Sequence, residues 1–277
     1  MKHLISLLLF FNIFSAAFSQ NFHLDLAIGA SNYYGDLQSK RYTFKQAKAA
    51  FGVGLSYEIN DNLSLRTAIT FAKVAGDDKL NPQTQIRNLN FTSSIAEAQI
   101  AAEYYLLNPY ENSLAPYLFA GVAVYHFNPY TYDTSGTKFF LQPLSTEGQG
   151  FYLDRKPYKL TQLAIPFGAG IKLALSENIN VGIEVGLRKL FTDYLDDVST
   201  TYIDPNLLIT NRGPKSFELA FRENELKTSN PYPLGDIRGG EKYKDWYYFT
   251  MFTTSFRLGN GDKNGGKSKV GCPTRVR

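Results

Sequence analysis

The chain has 277 residues, a formal net charge of +4 and a single cysteine, with aromatic residues at 15% and charged residues at 19%. A charge this small argues against nucleic acid as a partner, and one cysteine, Cys272, cannot form an internal disulfide. The length suits one large domain or two small ones, so stability has to come from packing and pairing alone.

Met1-Lys2-His3 precedes an apolar run from Leu4 to Phe18, and Ala17-Phe18-Ser19 ends before Gln20. A charged start, an apolar middle and small residues at the cut site read as a secretory signal peptide over 1–19. No cysteine stands at the cut site, which argues against a lipid anchor. No later stretch holds the ~20 consecutive apolar residues of a spanning helix, so a membrane assignment must rest on strands.

The first predicted strand is Phe22 to Tyr33, where Phe22, Leu24, Leu26, Ile28 and Ala30 alternate with His23, Asp25, Ala27, Gly29 and Ser31. The second is Ala50 to Ile59, the third Leu63 to Val74, with Asn60-Asp61-Asn62 as a turn between them. The fourth, Ile95 to Leu106, sets Glu97, Gln99 and Glu103 on one face. The fifth, Ala115 to Phe127, is apolar on both faces, and its pattern assigns no orientation. The sixth and seventh form a hairpin from Leu163 to Arg188 around Ser176-Glu177-Asn178. Its outer positions are apolar, and the positions between them hold Gly168, Gly170, Lys172, Gly182, Glu184, Gly186 and Arg188. The eighth is Asp245 to Leu258.

Period-two alternation marks strands with one apolar face. Small and charged residues on the other face, with short turns between arms, mark transmembrane hairpins. Short links after the even strands alternate with long ones after the odd strands. The reading is all-β: an eight-stranded antiparallel outer-membrane β-barrel over 20–258, surrounded by outer-membrane lipid, with long extracellular loops and both mature termini periplasmic. An open edge in lipid would leave backbone groups unpaired, so the eighth strand must pair with the first.

Eight strands leave an interior that side chains can fill. Asp25, Glu58, Glu97, Glu103 and Glu184 against Arg66, Lys172, Arg188 and Arg257 are therefore expected as a lumen charge network that closes the pore. The alternating glycines read as relief of crowding inside the barrel.

A catalytic site would need histidine beside an orienting carboxylate. After cleavage only His23 and His126 remain, with Asp133 near His126 in sequence and Asp196-Asp197 on another loop. Such a set arises easily by chance, so no catalytic residues and no cofactor are assigned. No metal is assigned either, because the lone cysteine and the two histidines are far apart. Asp193, Asp196 and Asp197 follow the seventh strand. They read either as solvated charge or as a partner or cation site on the outer face. The tail 259–277 is basic through Lys263, Lys267, Lys269, Arg275 and Arg277, and its Gly- and Lys-rich composition favours disorder in isolation. It reads as a solvated segment or as a docking segment for an acidic periplasmic partner or peptidoglycan.

Several strings occur in order: Arg87-Asn88-Leu89-Asn90-Phe91, Pro116-Tyr117-Leu118-Phe119-Ala120-Gly121-Val122, Thr146-Glu147-Gly148-Gln149-Gly150, Ile165-Pro166-Phe167-Gly168, Thr192-Asp193-Tyr194-Leu195-Asp196-Asp197-Val198-Ser199, Lys244-Asp245-Trp246-Tyr247 and Cys272-Pro273. Together they resemble the PorG-like outer-membrane barrels associated with the type IX secretion system. The resemblance covers nearly the whole mature chain. It implies a non-enzymatic role in contact with a periplasmic secretion ring, built from a lipoprotein and its partner subunit. The alternative is a small barrel that binds an extracellular ligand or carries loop-borne enzymatic activity.

Overall fold

The computed structural model describes residues 21–38, 40, 43–226, 235–240, 242 and 244–258. The expected signal peptide and basic tail lie outside the described residues. Among these described residues nine strands form: β1 (Phe22–Tyr34), β2 (Lys48–Asn60), β3 (Leu63–Asp77), β4 (Asn90–Tyr105), β5 (Leu114–Tyr132), β6 (Lys138–Phe140), β7 (Thr161–Ser176), β8 (Ile179–Leu190) and β9 (Trp246–Leu258).

Eight of them run antiparallel in the order β4-β3-β2-β1-β9-β8-β7-β5, and β4 pairs with β5 to close the barrel. The closing seam between first and last strands runs from Phe22 opposite Leu258 to Tyr34 opposite Trp246. The short β6 stands outside this count. It pairs only with the end of β5, over Tyr130 to Tyr132, as a hairpin above the barrel within a stretch expected to be loop.

The alternation sorts the side chains. Ile28, Phe51, Ile100, Val122, Leu163, Ile183 and Phe252 stand exposed on the outer wall. So wide an apolar belt is costly in water and matches the hydrocarbon layer of a bilayer. The orientation of β5 is now assigned: Tyr117, Phe119, Tyr125 and Phe127 are buried inside, and Leu118, Val122 and Val124 are exposed outside. Its pattern was ambiguous because its inner face is aromatic rather than polar. The glycine face of the β7–β8 hairpin explains that choice. A Cβ on Gly170 would lie 2.5 Å from the Tyr117 ring, and one on Gly186 would lie 2.7 Å from Phe119. The glycines leave room for rings that arrive from β5.

On the side of the long connections the strands run further than the alternation indicated. β3 continues to Asp77, β4 begins at Asn90 and β5 reaches Tyr132. β5 alone has 19 residues, where roughly 9–11 suffice to cross the hydrocarbon. The excess carries the sheet above the belt and supports a packed cap. Among its described residues the last long connection contains two α-helices, α1 (Pro205–Arg212) and α2 (Pro214–Ala220). Asp204 caps α1 by accepting from the Asn206 amide at 2.7 Å, and Pro205 opens its first turn. Gly213, at φ +87°, turns the chain between the two helices. Tyr202, Ile203, Leu208, Ala220 and Phe221 bury a small core of their own beneath them.

Candidate functional site

Eight of the nine lumen charges come together on the inner wall in three groups, and the ninth, Asp25, stands apart from them. At the short-turn end Glu58 meets His23 at 3.0 Å and Arg257 at 3.2 Å, and Tyr110 donates to Glu58 as well. In the middle Arg66 reaches Glu184 at 2.6 Å and Glu103 at 2.8 Å, while Lys172 reaches Glu103 at 2.8 Å. Tyr117 adds a hydroxyl to Glu184 at 2.7 Å. Above them Arg188 pairs with Glu97 at 3.0 Å, and Tyr247 donates to the same carboxylate. Asp25 is held by the hydroxyls of Ser56 and Ser255. Charges taken out of water persist only when their remaining donors and acceptors are satisfied, and the inward tyrosines supply that satisfaction.

Asp193, Asp196 and Asp197 take a different place from the one expected. They are not a hydrated surface. Their exposures are 3%, 1% and 0%. They turn inward because neighbouring long connections supply the donors. Asp197 accepts from Thr146 at 2.5 Å and from Tyr158 at 2.7 Å. Asp196 accepts from Tyr33, and also from the Val198 amide at 2.9 Å. Asp193 accepts from the Ser199 hydroxyl at 2.8 Å.

Residues that sequence reasoning did not single out complete this cap. Glu147 accepts from the amides of Ser199 and Thr200 at 2.9 and 3.0 Å, and Arg238 meets it at 2.9 Å. Arg87 pairs with Asp78 at 2.7 Å, donates to the Asp36 carbonyl at 3.0 Å and also donates to the Arg238 carbonyl. Arg155 donates to the Glu147 carbonyl at 2.7 Å and to the Thr201 carbonyl at 3.0 Å. Asp245 accepts from the Leu195 amide at 2.9 Å. One network thus ties all four long connections to each other. Arg87, Glu147 and Asp245 stand in the strings that carried the family resemblance. For Arg238 the signal was the following Gly239-Gly240. A Cβ on Gly239 would lie 2.5 Å from the Ser199 nitrogen, so only glycine admits that approach.

The cap also holds the non-glycine residues with left-handed backbone, Asn88, Ser145, Leu153 and Asp197. Asn and Asp visit this region most readily among residues with a side chain. Burial raises the carboxyls of Asp196, Asp245 and Asp36, and neighbouring carboxylates push the first two further. Asp193 is raised to about 7 and Asp197 to about 6, again chiefly by burial.

The histidine sets weighed as catalytic are not assembled. His126 stands exposed on the outer wall, with its Nδ1 2.9 Å from the Thr161 hydroxyl. Asp133 engages Ser135 and Lys215 instead, and Asp196 lies under the cap. Among the described residues no group of three or more His, Cys, Asp or Glu has metal-holding geometry. Lys263, Lys267, Lys269, Arg275 and Arg277 lie outside the described residues.

Residues 2–208 match the family model described as "Domain of unknown function (DUF6089)", and the chain belongs to that family. No curated protein matches the sequence. Among solved structures the chain is similar to the Neisserial surface protein A, at 10% identity and TM-score 0.43, covering 85% of this chain and 96% of that one. It is similar to OprG from Pseudomonas aeruginosa at 12% identity and TM-score 0.41, covering 88% and 99%. It is also similar to Ail of Yersinia pestis at 8% identity and TM-score 0.39, covering 86% and 98%.

Proposed function

We propose that this member of the DUF6089 family is an integral outer-membrane barrel with a non-enzymatic, partner-binding role in type IX protein secretion, of the kind the PorG-like resemblance implies. Its short-turn face looks into the periplasm and contacts the secretion ring built from a lipoprotein and its partner subunit. Its capped end faces outward. The observation that carries this reading is a lumen occupied by paired charges beneath a cross-linked cap of the long connections. A body without a passage acts through its faces. The short turns and long connections support the orientation, since outer-membrane barrels keep short turns on the periplasmic side.

The test is a mild-detergent pull-down from outer membranes, paired with a clean deletion. The expected outcome is co-purification of the ring subunits and loss of secreted cargo in the deletion strain. Normal secretion without the chain would overturn the reading.

A further inference from the structure

The lipid-facing wall of the barrel is uneven. On β4 the outward positions Ser94, Ala96 and Ala98 hold small side chains. Their partners are Lys73, Phe71 and Ile69 on β3 and Asn128, His126 and Val124 on β5. Paired positions put their side chains on the same face about 5 Å apart, so this part of β4 is the floor of a trough between two taller ridges. Towards the short turns the trough widens into an apolar groove of about 710 Å³, with Val53, Ile69, Ala98, Ile100, Val122 and Val124 in its lining. On β8, by contrast, the bulky Ile183, Val185 and Leu187 follow one another below Lys189.

The head of the trough is polar. Lys73 is exposed there, and among the described residues no carboxylate pairs with its ammonium group. The carboxylate that shares its face of β3, Asp77, stands four residues higher and accepts from the Lys79 amide at 2.9 Å. Ser94 and Asn128 continue the row of Lys73, and His126 lies one row lower. From Ile69, at the upper end of the groove, to Lys73 the strand rises roughly 13 Å. A lysine at the edge of the hydrocarbon layer keeps its stem on the apolar wall and extends its ammonium group to the headgroups. One unpaired positive charge with neutral hydroxyl and amide groups beside it, above an apolar slot, complements an anionic phospholipid.

We propose that this groove is a binding site for one anionic phospholipid in the leaflet on the side of the long connections. An acyl chain lies along β4 over Ala96 and Ala98, and the headgroup phosphate sits on Lys73 beside Ser94 and Asn128. The inference rests on the outer-membrane placement of the barrel and is independent of the secretion role.

The test reconstitutes the full chain in nanodiscs of phosphatidylcholine with a minor fraction of phosphatidylglycerol. Native mass spectrometry then counts the lipids that stay bound on release. One phosphatidylglycerol per barrel is expected, retained in preference to phosphatidylcholine. Lys73→Gln should lower that occupancy about fivefold, since one lysine near an anionic surface is worth about 1 kcal/mol. Ala98→Phe, which fills the groove and leaves Lys73 in place, should lower it too. Lys189→Gln, which removes an exposed lysine flanked by Ile165 and Trp246, should leave it unchanged. All three positions are exposed, and heat-modifiability on gels confirms that each variant barrel is folded. Equal retention of the two lipids overturns the proposal, as does occupancy indifferent to Lys73→Gln. An equal loss in Lys189→Gln, or a dimer of the chain in place of the lipid, overturns it as well.

Discussion

Arg188 of β8 and Glu97 of β4 meet across the lumen at 3.0 Å, with side-chain exposures of 2% and 0%. The pair is held from two further sides. The Tyr247 hydroxyl donates to Glu97, and Arg188 donates to the Gly186 carbonyl at 2.8 Å. Its role is to let two charged side chains fill a space that water would otherwise enter.

Removing one partner leaves the other charge buried without compensation. Arg188→Met is therefore expected to destabilise the barrel by about 3–5 kcal/mol. The double variant Arg188→Met/Glu97→Met should recover most of that loss. Urea unfolding in bilayers, followed by the fluorescence of the lone tryptophan, Trp246, measures both. Equal stability of the single variant and the parent would mean that the pair contributes nothing.

The filled lumen has an electrical consequence. In planar bilayers the barrel should show no large stable openings, because the Arg66, Glu103, Glu184 and Lys172 group spans the interior below the aromatic layer of Tyr125, Phe127 and Phe249. Long-lived conductance steps from the purified protein would contradict the packing described.

The cap should loosen as pH rises. Asp193 is raised to about 7, by burial first, with Asp36 and Glu147 raising it further and Ser199 and Lys244 opposing. Asp197 is raised to about 6, also by burial first, with Arg238, Thr146 and Tyr158 opposing. An unfolded aspartate titrates at about 3.9, so the folded cap holds its protons more tightly. Its stability is then greatest below about pH 4, falls as pH rises through the folded values, and levels off above them. Proteolytic nicking between residues 191 and 245 should be slower at pH 5 than at pH 8. Asp193→Asn should flatten that difference, and an unchanged pH profile in this variant would rule out Asp193 as its source.

Gly35 sits where Tyr33 and Asp245 converge. A Cβ there would lie 2.0 Å from the Asp245 carboxylate and 2.2 Å from the Tyr33 hydroxyl. Gly35→Ala should push these groups apart at a cost of roughly 1–3 kcal/mol, the usual range for overpacking. Amide exchange should rise around Leu195, whose amide donates to Asp245, and stay unchanged in β2 and β3. Exchange that rises evenly around the barrel would point to a global defect instead.

Period-two alternation made the barrel legible. Leu26 and Ile28 face outward and Asp25 faces inward because neighbours along a strand point to opposite sides, whatever the rest of the chain does. The same logic failed at β5, where Tyr117 and Phe119 on the inner side resemble lipid-facing residues until Glu184 and Arg66 come within reach of them. The Asp193 to Asp197 stretch was legible as unusual but not as buried. Nothing local distinguishes a solvated aspartate from one that finds a donor elsewhere in the fold.

The sequence by itself determined the number of barrel strands, the wall that residues face on the strands other than β5, and the alternation of short and long connections, because these follow from spacing along a few neighbouring residues. Tertiary structure alone decided that the long connections close into a cap. Tyr33 meets Asp196 across 163 residues of sequence, and Asp36 meets Gly240 across 204. Contacts of that separation exist only once the barrel has closed and brought the ends of β1, β8 and β9 together.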